Sequence, residues 1–316
     1  MEVEPKNKIM VRDRIDAADG VIILTFGRAD KAPLPEWEPG AHIDIIGSDG
    51  ECRQYSLCGR TDDPGEFRVA ILEETDGRGF SRRLHRGAQI GSEWTIRGPR
   101  LNFELKPADS YIFIAGGIGI TPLIPMIAKA ESDGAEWKLL YGGRSLSSMA
   151  FLDELESYGD HVIVASQDEV GLLPLSEWLG ESQPSTAVYC CGPEPLIQAV
   201  ERACETWPRG SLHTERFAPK KLDAPVLSKP FEVVLEQSKM TLQVPPDKSI
   251  LEVIREAGIP TLSACQEGTC GTCETAVLEG IPDHRDSVLD EEEQAANDYM
   301  MICISRSCTR RLVLDM

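Results

Sequence analysis

Four cysteines near the C-terminus constrain this chain more than any other feature of its sequence. Cys265, Cys270 and Cys273 follow the spacing C-x4-C-x2-C, and Cys303 lies farther on in the apolar run MMICIS. That spacing is typical of plant-type [2Fe–2S] sites. One tight loop then supplies three thiolates and a distant strand supplies the fourth. The sequence therefore predicts an iron–sulfur domain at the C-terminal end.

Glycines inside the cysteine loop favour this interpretation. Gly268 and Gly271 allow the backbone to fold closely around inorganic sulfides, where its N–H groups can hydrogen-bond. The residues alone leave two alternatives, a zinc site with paired C-x2-C knuckles or buried structural cysteines. Cys308 competes for the fourth ligand position, but Thr-Arg-Arg follows it, whereas the apolar run around Cys303 can shield a cluster. We expect the ligands to be Cys265, Cys270, Cys273 and Cys303.

Composition limits the other classes of function. The chain has ten cysteines but no recognisable export signal, which argues against a disulfide framework. The net charge of −20 disfavours nucleic acid and anionic membranes as partners. No apolar run reaches the ~18 residues of a spanning helix, and the start MEVEPKNKIMVRDRID is too polar for a secretory signal. We expect a cytoplasmic protein without membrane or nucleic-acid partners.

The pattern of apolar runs and turn residues changes twice along the 316 residues of the chain. Short apolar runs broken by turn residues predict an antiparallel β-barrel over residues 1–106. Strand, glycine turn and helix then alternate over residues 107–222, which predicts an α/β domain with a parallel sheet. A proline- and lysine-rich linker is expected at 223–230, followed by an α+β domain at 231–316.

Two motifs in the first domain combine cations with hydroxyl groups. Arg53, Tyr55 and Leu57 alternate with Ser56 on one predicted strand, which would suit the side of a flavin ring, although such a run is more often a plain strand. Farther on, residues 76–81 read DGRGFS and lead into a predicted helix. Glycine flexibility, a guanidinium and a helix N-terminus together predict a phosphate site, although Gly-Arg-Gly is more often only a turn.

Two motifs in the second domain follow apolar strands. Gly117, Gly119 and Thr121 lie between the strand YIFIA and a helix, where a glycine turn can present N–H groups to a pyrophosphate. The segment Cys191–Pro193 ends another buried strand, at the edge where open α/β sheets bind ligands. Cys191 has the alternative of being a plain core thiol. The first motif therefore predicts a pyrophosphate site, and the second predicts a ligand site at the carboxyl edge of the sheet.

The segments RQYSL, GGIGITP, CCGPEPL and the cysteine loop occur in this order, and the chain thereby resembles the phthalate dioxygenase reductase family over nearly its whole length. The resemblance implies a flavin-binding barrel, a nucleotide domain of the ferredoxin-reductase type and a β-grasp ferredoxin domain. It also implies FMN rather than FAD, a 2Fe-2S cluster and NADH. Arg144, Ser145 and Asp168 would lie at the adenosine end of the dinucleotide, where the Arg-Ser pair could also hold the 2′-phosphate of NADPH. The implied partner is a terminal oxygenase, most often of the Rieske type.

The resemblance also assigns roles to individual residues. Ser56 would orient the flavin edge, Cys191 would line the nicotinamide pocket, and Phe217 in the segment ERF would cover the flavin until nicotinamide displaces it. Relatives often carry a small residue where this chain has Phe80. The residues expected to bind flavin or dinucleotide are Arg53, Tyr55, Ser56, Leu57, Arg78, Gly79, Phe80, Ser81, Gly117, Gly119, Thr121, Arg144, Ser145, Asp168, Cys191, Gly192, Pro193 and Phe217.

These assignments together predict an NADH-dependent flavin and iron–sulfur oxidoreductase that passes single electrons to an oxygenase. A reductase for a cytochrome P450 needs the same cofactors and is the alternative. A redox sensor, in which the nucleotide domain only binds, is a third hypothesis. Residues 231–316 carry about 16 acidic and about 7 basic residues, so this domain is expected either to steer toward a basic partner or simply to be well solvated.

Overall fold

The computed structural model describes residues 6–75, 77, 79–220 and 224–316, apart from the side chain of Glu291. The chain forms two compact units, Met1–Glu215 and Arg216–Met316. Within the described residues, no helix is both long and apolar enough to cross a membrane. The predicted fold class is confirmed, because an antiparallel sheet and a parallel sheet lie in the first unit and a ferredoxin-type sheet lies in the second. The domain boundaries at 106, 222 and 230 stay predictions.

Six strands form the antiparallel sheet of the first unit. They are β1 (Asn7–Ala18), β2 (Val21–Gly27), β3 (Ala41–Ile46), β4 (Cys52–Ser56), β5 (Phe67–Leu72) and β6 (Glu93–Leu101). Their order is β4-β3-β6-β1-β2-β5. Alternate side chains such as Ile43 and Ile45 are fully buried in one core, as the period of two requires. The helix α1 (Phe80–Gly87) adds Phe80 and Leu84 to this core and so fixes the turn before it.

Five parallel strands form the second sheet of this unit. They are β7 (Ser110–Gly116), β8 (Glu136–Gly143), β9 (Val162–Ser166), β10 (Thr186–Cys191) and β11 (Leu212–Glu215), and their order is β11-β10-β7-β8-β9. The helices between them are α2 (Leu123–Asp133), α3 (Leu152–Glu156), α4 (Gln167–Val170), α5 (Leu175–Leu179) and α6 (Glu194–Ala203). Because all five strands run in the same direction, their carboxyl ends meet at one edge, where open α/β sheets bind ligands.

The second unit is built on a five-stranded mixed sheet. Its elements are β12 (Phe231–Leu235), β13 (Met240–Val244), α7 (Ile250–Glu256), β14 (Glu274–Glu279), β15 (Pro282–Asp283), α8 (Glu291–Ala296), β16 (Tyr299–Met301), β17 (Arg306–Ser307) and β18 (Arg311–Leu314). The sheet order is β13-β12-β18-β14-β16, and β15 pairs separately with β17. Ser249 and Glu252 form a capping box that starts α7, which buries Ile250 and Ile254 in the core.

Candidate functional site

The four predicted cluster ligands lie together in the second unit. All four side chains are buried. The Cys265 thiol is hydrogen-bonded to the thiols of Cys270 and Cys303, and the Cys303 thiol is also hydrogen-bonded to that of Cys273. Cys273 immediately precedes β14, Cys303 follows β16, and these two strands are paired. Strand pairing therefore brings the distant fourth thiol to the loop that carries the other three.

The cysteine loop directs backbone donors at sulfur. The N–H groups of Glu267 and Thr269 lie 3.3 and 3.4 Å from Cys265 Sγ. Hydrogen bonds from the neighbouring thiols, Cys270 first and then Cys303, lower the pKa of Cys265 and favour its thiolate. Four convergent thiols with backbone N–H donors form the donor set that a [2Fe–2S] cluster requires.

Gly268 gives this loop its close approach to the rest of the unit. Its φ of 72° is left-handed, and a Cβ there would lie 2.6 Å from Ile304 Cγ2 and 3.0 Å from Asp286 Cα. Any side chain would therefore push the loop away from the segment that carries the fourth thiol. Cys308, the rival fourth ligand, instead donates its S–H to the carbonyl of Pro282 at 3.4 Å.

The strand β4 carries the predicted flavin residues. Arg53 forms an ion pair with Glu51 at 2.7 Å, and its guanidinium lies 5.9 Å from the centre of the Phe80 ring. Ser56 and Leu57 are buried, and burial raises the pKa of the Tyr55 hydroxyl above its ordinary value. A neutral tyrosine beside a cation suits the side of an uncharged ring system with a polar edge.

A buried charge network anchors β4 from its other face. The Asp44 carboxylate is fully buried and accepts hydrogen bonds from Gln54 at 2.7 Å, Arg97 at 2.8 Å and Arg100 at 2.6 Å. Burial opposes ionisation of Asp44, but the charges of Arg100 and Arg97 and these hydrogen bonds leave its pKa below the ordinary value. Because Gln54 lies between Arg53 and Tyr55, the network holds the strand that presents both side chains.

The predicted phosphate turn lies at the start of α1. Gly79 has a φ of 95° and precedes the first helical residue. The Ser81 hydroxyl accepts a hydrogen bond from the Glu74 N–H at 3.0 Å, which leaves its own proton for another acceptor. The ring of Phe80 is buried in the barrel core, so a phosphate would meet the backbone of this residue. Arg78 lies outside the described residues.

The two glycine turns of the parallel sheet pack against each other. After β7, a 3-10 turn spans Gly117–Ile120. A Cβ on Gly119 would lie 2.3 Å from the Cys191 carbonyl oxygen, and one on Gly192 would lie 3.0 Å from Gly116 Cα. Thr121 donates its hydroxyl proton to the carbonyl of Ile118 at 3.0 Å. These glycines therefore permit close packing of backbone on backbone at the ligand edge of the sheet.

A buried carboxyl group that sequence reasoning missed lies beside Cys191. Cys191 is opposite Glu215 in the pairing of β10 with β11, and its thiol is fully buried. Glu215 Oε2 is inaccessible to solvent and has no hydrogen-bond partner among the described residues. Burial raises the pKa of Glu215 to about 8. Burial and then the nearby Glu215 raise the pKa of Cys191 well above its ordinary value. Both groups are therefore uncharged near pH 7.

The predicted adenosine residues meet at the carboxyl ends of β8 and β9. The Asp168 N–H donates to the Arg144 carbonyl at 3.2 Å, and Ser145 starts a 3-10 turn with Ser148. Ser166, at the end of β9, is a second residue that sequence reasoning missed, because its Oγ is buried without a hydrogen-bond partner among the described residues. The structure thus brings three predicted residues and one new hydroxyl to a single corner of the sheet.

Phe217 is the predicted site residue whose role the geometry leaves open. It is 47% exposed and belongs to the second unit, two residues after Glu215. Its contact with a flavin on β4 stays a prediction.

Two family models match the chain. Residues 113–202 match the oxidoreductase NAD-binding domain, and residues 233–308 match the 2Fe-2S iron-sulfur cluster binding domain. The curated phenoxybenzoate dioxygenase subunit beta of Ectopseudomonas oleovorans is 38% identical over 95% of this chain and 94% of its own length.

Two solved structures are similar over 98% of this chain. One is a phthalate dioxygenase reductase, described as a modular structure for electron transfer from pyridine nucleotides to [2Fe–2S]. It is 32% identical, with a TM-score of 0.72 and 98% of its own chain covered. The other is an intact type IV self-sufficient cytochrome P450 monooxygenase, 40% identical with a TM-score of 0.93. The present chain spans 41% of that larger protein.

Proposed function

Because the chain belongs to the phthalate dioxygenase reductase family, we propose that it is the reductase component of a multicomponent oxygenase. It takes electrons from NADH and delivers them singly to a terminal oxygenase. The observation that carries this proposal is the buried group of four thiols with two N–H donors, on a chain that also carries a nicotinamide-binding domain. NADH use favours a cytoplasmic setting.

Two bound groups connect NADH to the partner. FMN, when bound, exchanges a two-electron input for single-electron output, and the cluster carries one electron at a time. Arg53, Tyr55 and Ser56 would hold the flavin ring, and Gly79 with Ser81 would hold its phosphate. Cys265, Cys270, Cys273 and Cys303 would hold the cluster.

Cys191 and Glu215 suit the pocket of the nicotinamide ring. Both are uncharged near pH 7, so they provide an environment of low polarity for neutral NADH. The nicotinamide becomes cationic when it loses hydride, and this charge would favour the carboxylate form of Glu215, whose proton would then pass to solvent. Cys191 and Glu215 would thus contribute to hydride transfer in two ways. They would position the nicotinamide ring, and the Glu215 carboxyl would hold one proton.

Binding of the dinucleotide would extend along the same edge. The turn Gly117–Ile120 faces the pyrophosphate, whereas Arg144, Ser145, Ser166 and Asp168 lie at the adenosine end. An acidic side chain there binds a ribose 2′-hydroxyl and repels a 2′-phosphate, which favours NADH over NADPH.

An anaerobic NADH titration of the purified protein tests this function. The expected result is bleaching of the flavin absorbance, a rhombic [2Fe–2S] EPR signal and release of FMN on denaturation. Flavin reduction without a cluster signal would make the protein a simple flavin reductase. Absence of NADH turnover with ferricyanide would support the sensor hypothesis instead.

We propose a Rieske-type oxygenase as the partner, on the strength of the family. The similarity to the reductase part of a self-sufficient P450, with a TM-score of 0.93, favours a P450 as the second candidate. Reconstitution with one purified oxygenase of each type separates the two. Substrate turnover coupled to NADH only with the P450 would reject the Rieske proposal.

A further inference from the structure

An exposed apolar face lies on the two strands that lead to the cluster thiols. Tyr299 begins β16, an edge strand, and is 49% exposed, and Leu278 on β14 is 50% exposed. Tyr299 pairs with Ala276, and Leu278 lies two residues farther along β14, where the pairing of β14 with β18 shifts register between Val277 and Glu279. Covering such a pair removes apolar area from water and therefore favours binding.

This face is close to the cluster site along the chain and across the sheet. β14 begins immediately after Cys273, and β16 ends two residues before Cys303. Glu274, the first residue of β14, pairs with Met301 at the cluster end of the face. A protein that covers Glu274 and Tyr299 therefore contacts the two strands that lead directly to Cys273 and Cys303.

Carboxylates border the apolar pair. Glu274 lies on the same face as Ala276, the partner of Tyr299, because residues two apart on a strand point to one side. Glu293 lies on α8, which packs against β16, and both Glu274 and Glu293 are exposed. Two exposed carboxylates next to the apolar residues are complementary in charge to a basic surface.

We propose that Glu274, Leu278, Glu293 and Tyr299 form a docking face for the terminal oxygenase, which meets it with basic residues around an apolar contact. This inference rests on the proposed function and specifies where the partner binds. Residues 1–215 hold 35 acidic and 21 basic residues, so charge favours a separate protein as the occupant.

Mammalian cytochrome c, a basic one-electron acceptor, is the probe for the electrostatic part of this face. The double variant Glu274→Gln/Glu293→Gln in the full-length holoprotein should raise the KM for cytochrome c about fivefold at low ionic strength, and the difference should vanish at high salt. The control Glu232→Gln/Glu236→Gln also removes two negative charges, on and next to β12, which lies two positions from β14 and three from β16 in the sheet order. It should change KM less than about twofold.

The apolar part is tested at Tyr299. Tyr299→Ser should raise KM for cytochrome c about threefold, and Tyr299→Phe should restore the wild-type value, since the ring makes the contact. An unchanged [2Fe–2S] EPR signal shows that each variant is folded and loaded. Equal effects of the two charge pairs, or no effect of the Glu274 and Glu293 pair, would overturn the docking face. Wild-type protein that reduces its flavin with NADH but never reduces cytochrome c would instead reject the proposed function.

Discussion

The predicted cluster site of the second unit and the carboxyl edge of the parallel sheet in the first unit are built by opposite means. Four sulfur side chains converge in the cluster site, so the site consists of what those side chains supply. At the edge of the parallel sheet, two backbone turns touch because glycine, which has no side chain, occupies the contact positions Gly116, Gly119 and Gly192. A substitution that removes a thiol should therefore damage the cluster site, whereas a substitution that adds a side chain to a glycine should damage the sheet edge.

Cys303→Ser should give the largest effect, because a hydroxyl replaces a thiolate ligand. We expect cytochrome c reduction to fall by at least about a hundredfold, whereas NADH-to-ferricyanide activity stays within about twofold. Iron content and EPR verify the loss of the cluster. Cys308→Ser is the matched control and should leave both activities intact. Loss of both activities in Cys303→Ser would contradict the separation of the two sites.

Gly119→Ala adds the atom that the sheet edge excludes. The new Cβ would lie 2.3 Å from the Cys191 carbonyl oxygen, so the two turns must separate. We expect flavin reduction by NADH to slow by about tenfold to a hundredfold and the free energy of unfolding to fall by about 1–3 kcal/mol.

Gly117→Ala serves as the control for Gly119→Ala. Gly117 has a φ of 54° but open space around it, so alanine should cost only about 1 kcal/mol of backbone strain. Stopped-flow reduction and thermal unfolding compare the two variants. Equal losses would show that contact between the turns is unimportant.

Glu215→Gln tests the buried carboxyl group. Its pKa is raised in the folded protein from 4.5 to about 8, so the unfolded chain loses this proton first as pH rises. The wild-type free energy of unfolding should therefore decrease between pH 4.5 and 8, with no loss below pH 4.5. The variant should lack that decrease and be up to about 4 kcal/mol more stable at pH 7.5.

Hydride transfer in Glu215→Gln should slow by about tenfold, since glutamine cannot release a proton as the nicotinamide becomes cationic. Glu205→Gln, on the exposed turn after α6, is the control and should match wild type in both measurements. A stability profile of Glu215→Gln parallel to wild type would show that this carboxyl is not held neutral.

Asp168→Ala should give the smallest effect. The side chain lies at the exposed start of α4, where it would contact only the ribose of the dinucleotide. We expect the KM for NADH to rise about threefold and the preference over NADPH to weaken. Steady-state kinetics with both dinucleotides measure this, with Glu169→Ala as the neighbouring control. If the ratio of the KM for NADH to the KM for NADPH is unchanged in Asp168→Ala, the ribose does not bind at Asp168.

The sequence predicted the 2Fe-2S domain because the pattern that indicates it is local. Three of the expected ligands lie within nine residues, and the fourth follows β16, which pairs with β14 at its cluster end. The assignment of the four ligands stays a prediction. The family resemblance and the fold class were also predicted correctly, because several short motifs occur along the chain in a fixed order. The individual flavin and dinucleotide assignments stay predictions.

The missed residues depend on contacts that no local pattern contains. Glu215 matters because β11 pairs with β10 in one register, which places the carboxyl opposite Cys191. Asp44 is the junction of Gln54, Arg97 and Arg100 on two neighbouring strands. The segment ERF holds one local signal for Glu215, which is a glutamate at the end of a short strand. The family resemblance draws attention instead to the aromatic residue of the same segment, Phe217.

The contact between Gly116 and Gly192 also limits how such an enzyme can be redesigned or can diverge. A Cβ on Gly192 would lie 3.0 Å from Gly116 Cα, and one on Gly116 would lie 2.6 Å from Pro193 Cδ in the opposite turn, although the two glycines are far apart in the chain. A substitution at either position is tolerated only if the opposite turn moves first. Libraries that aim to change dinucleotide preference should therefore keep both glycines fixed, or vary both turns in the same clone.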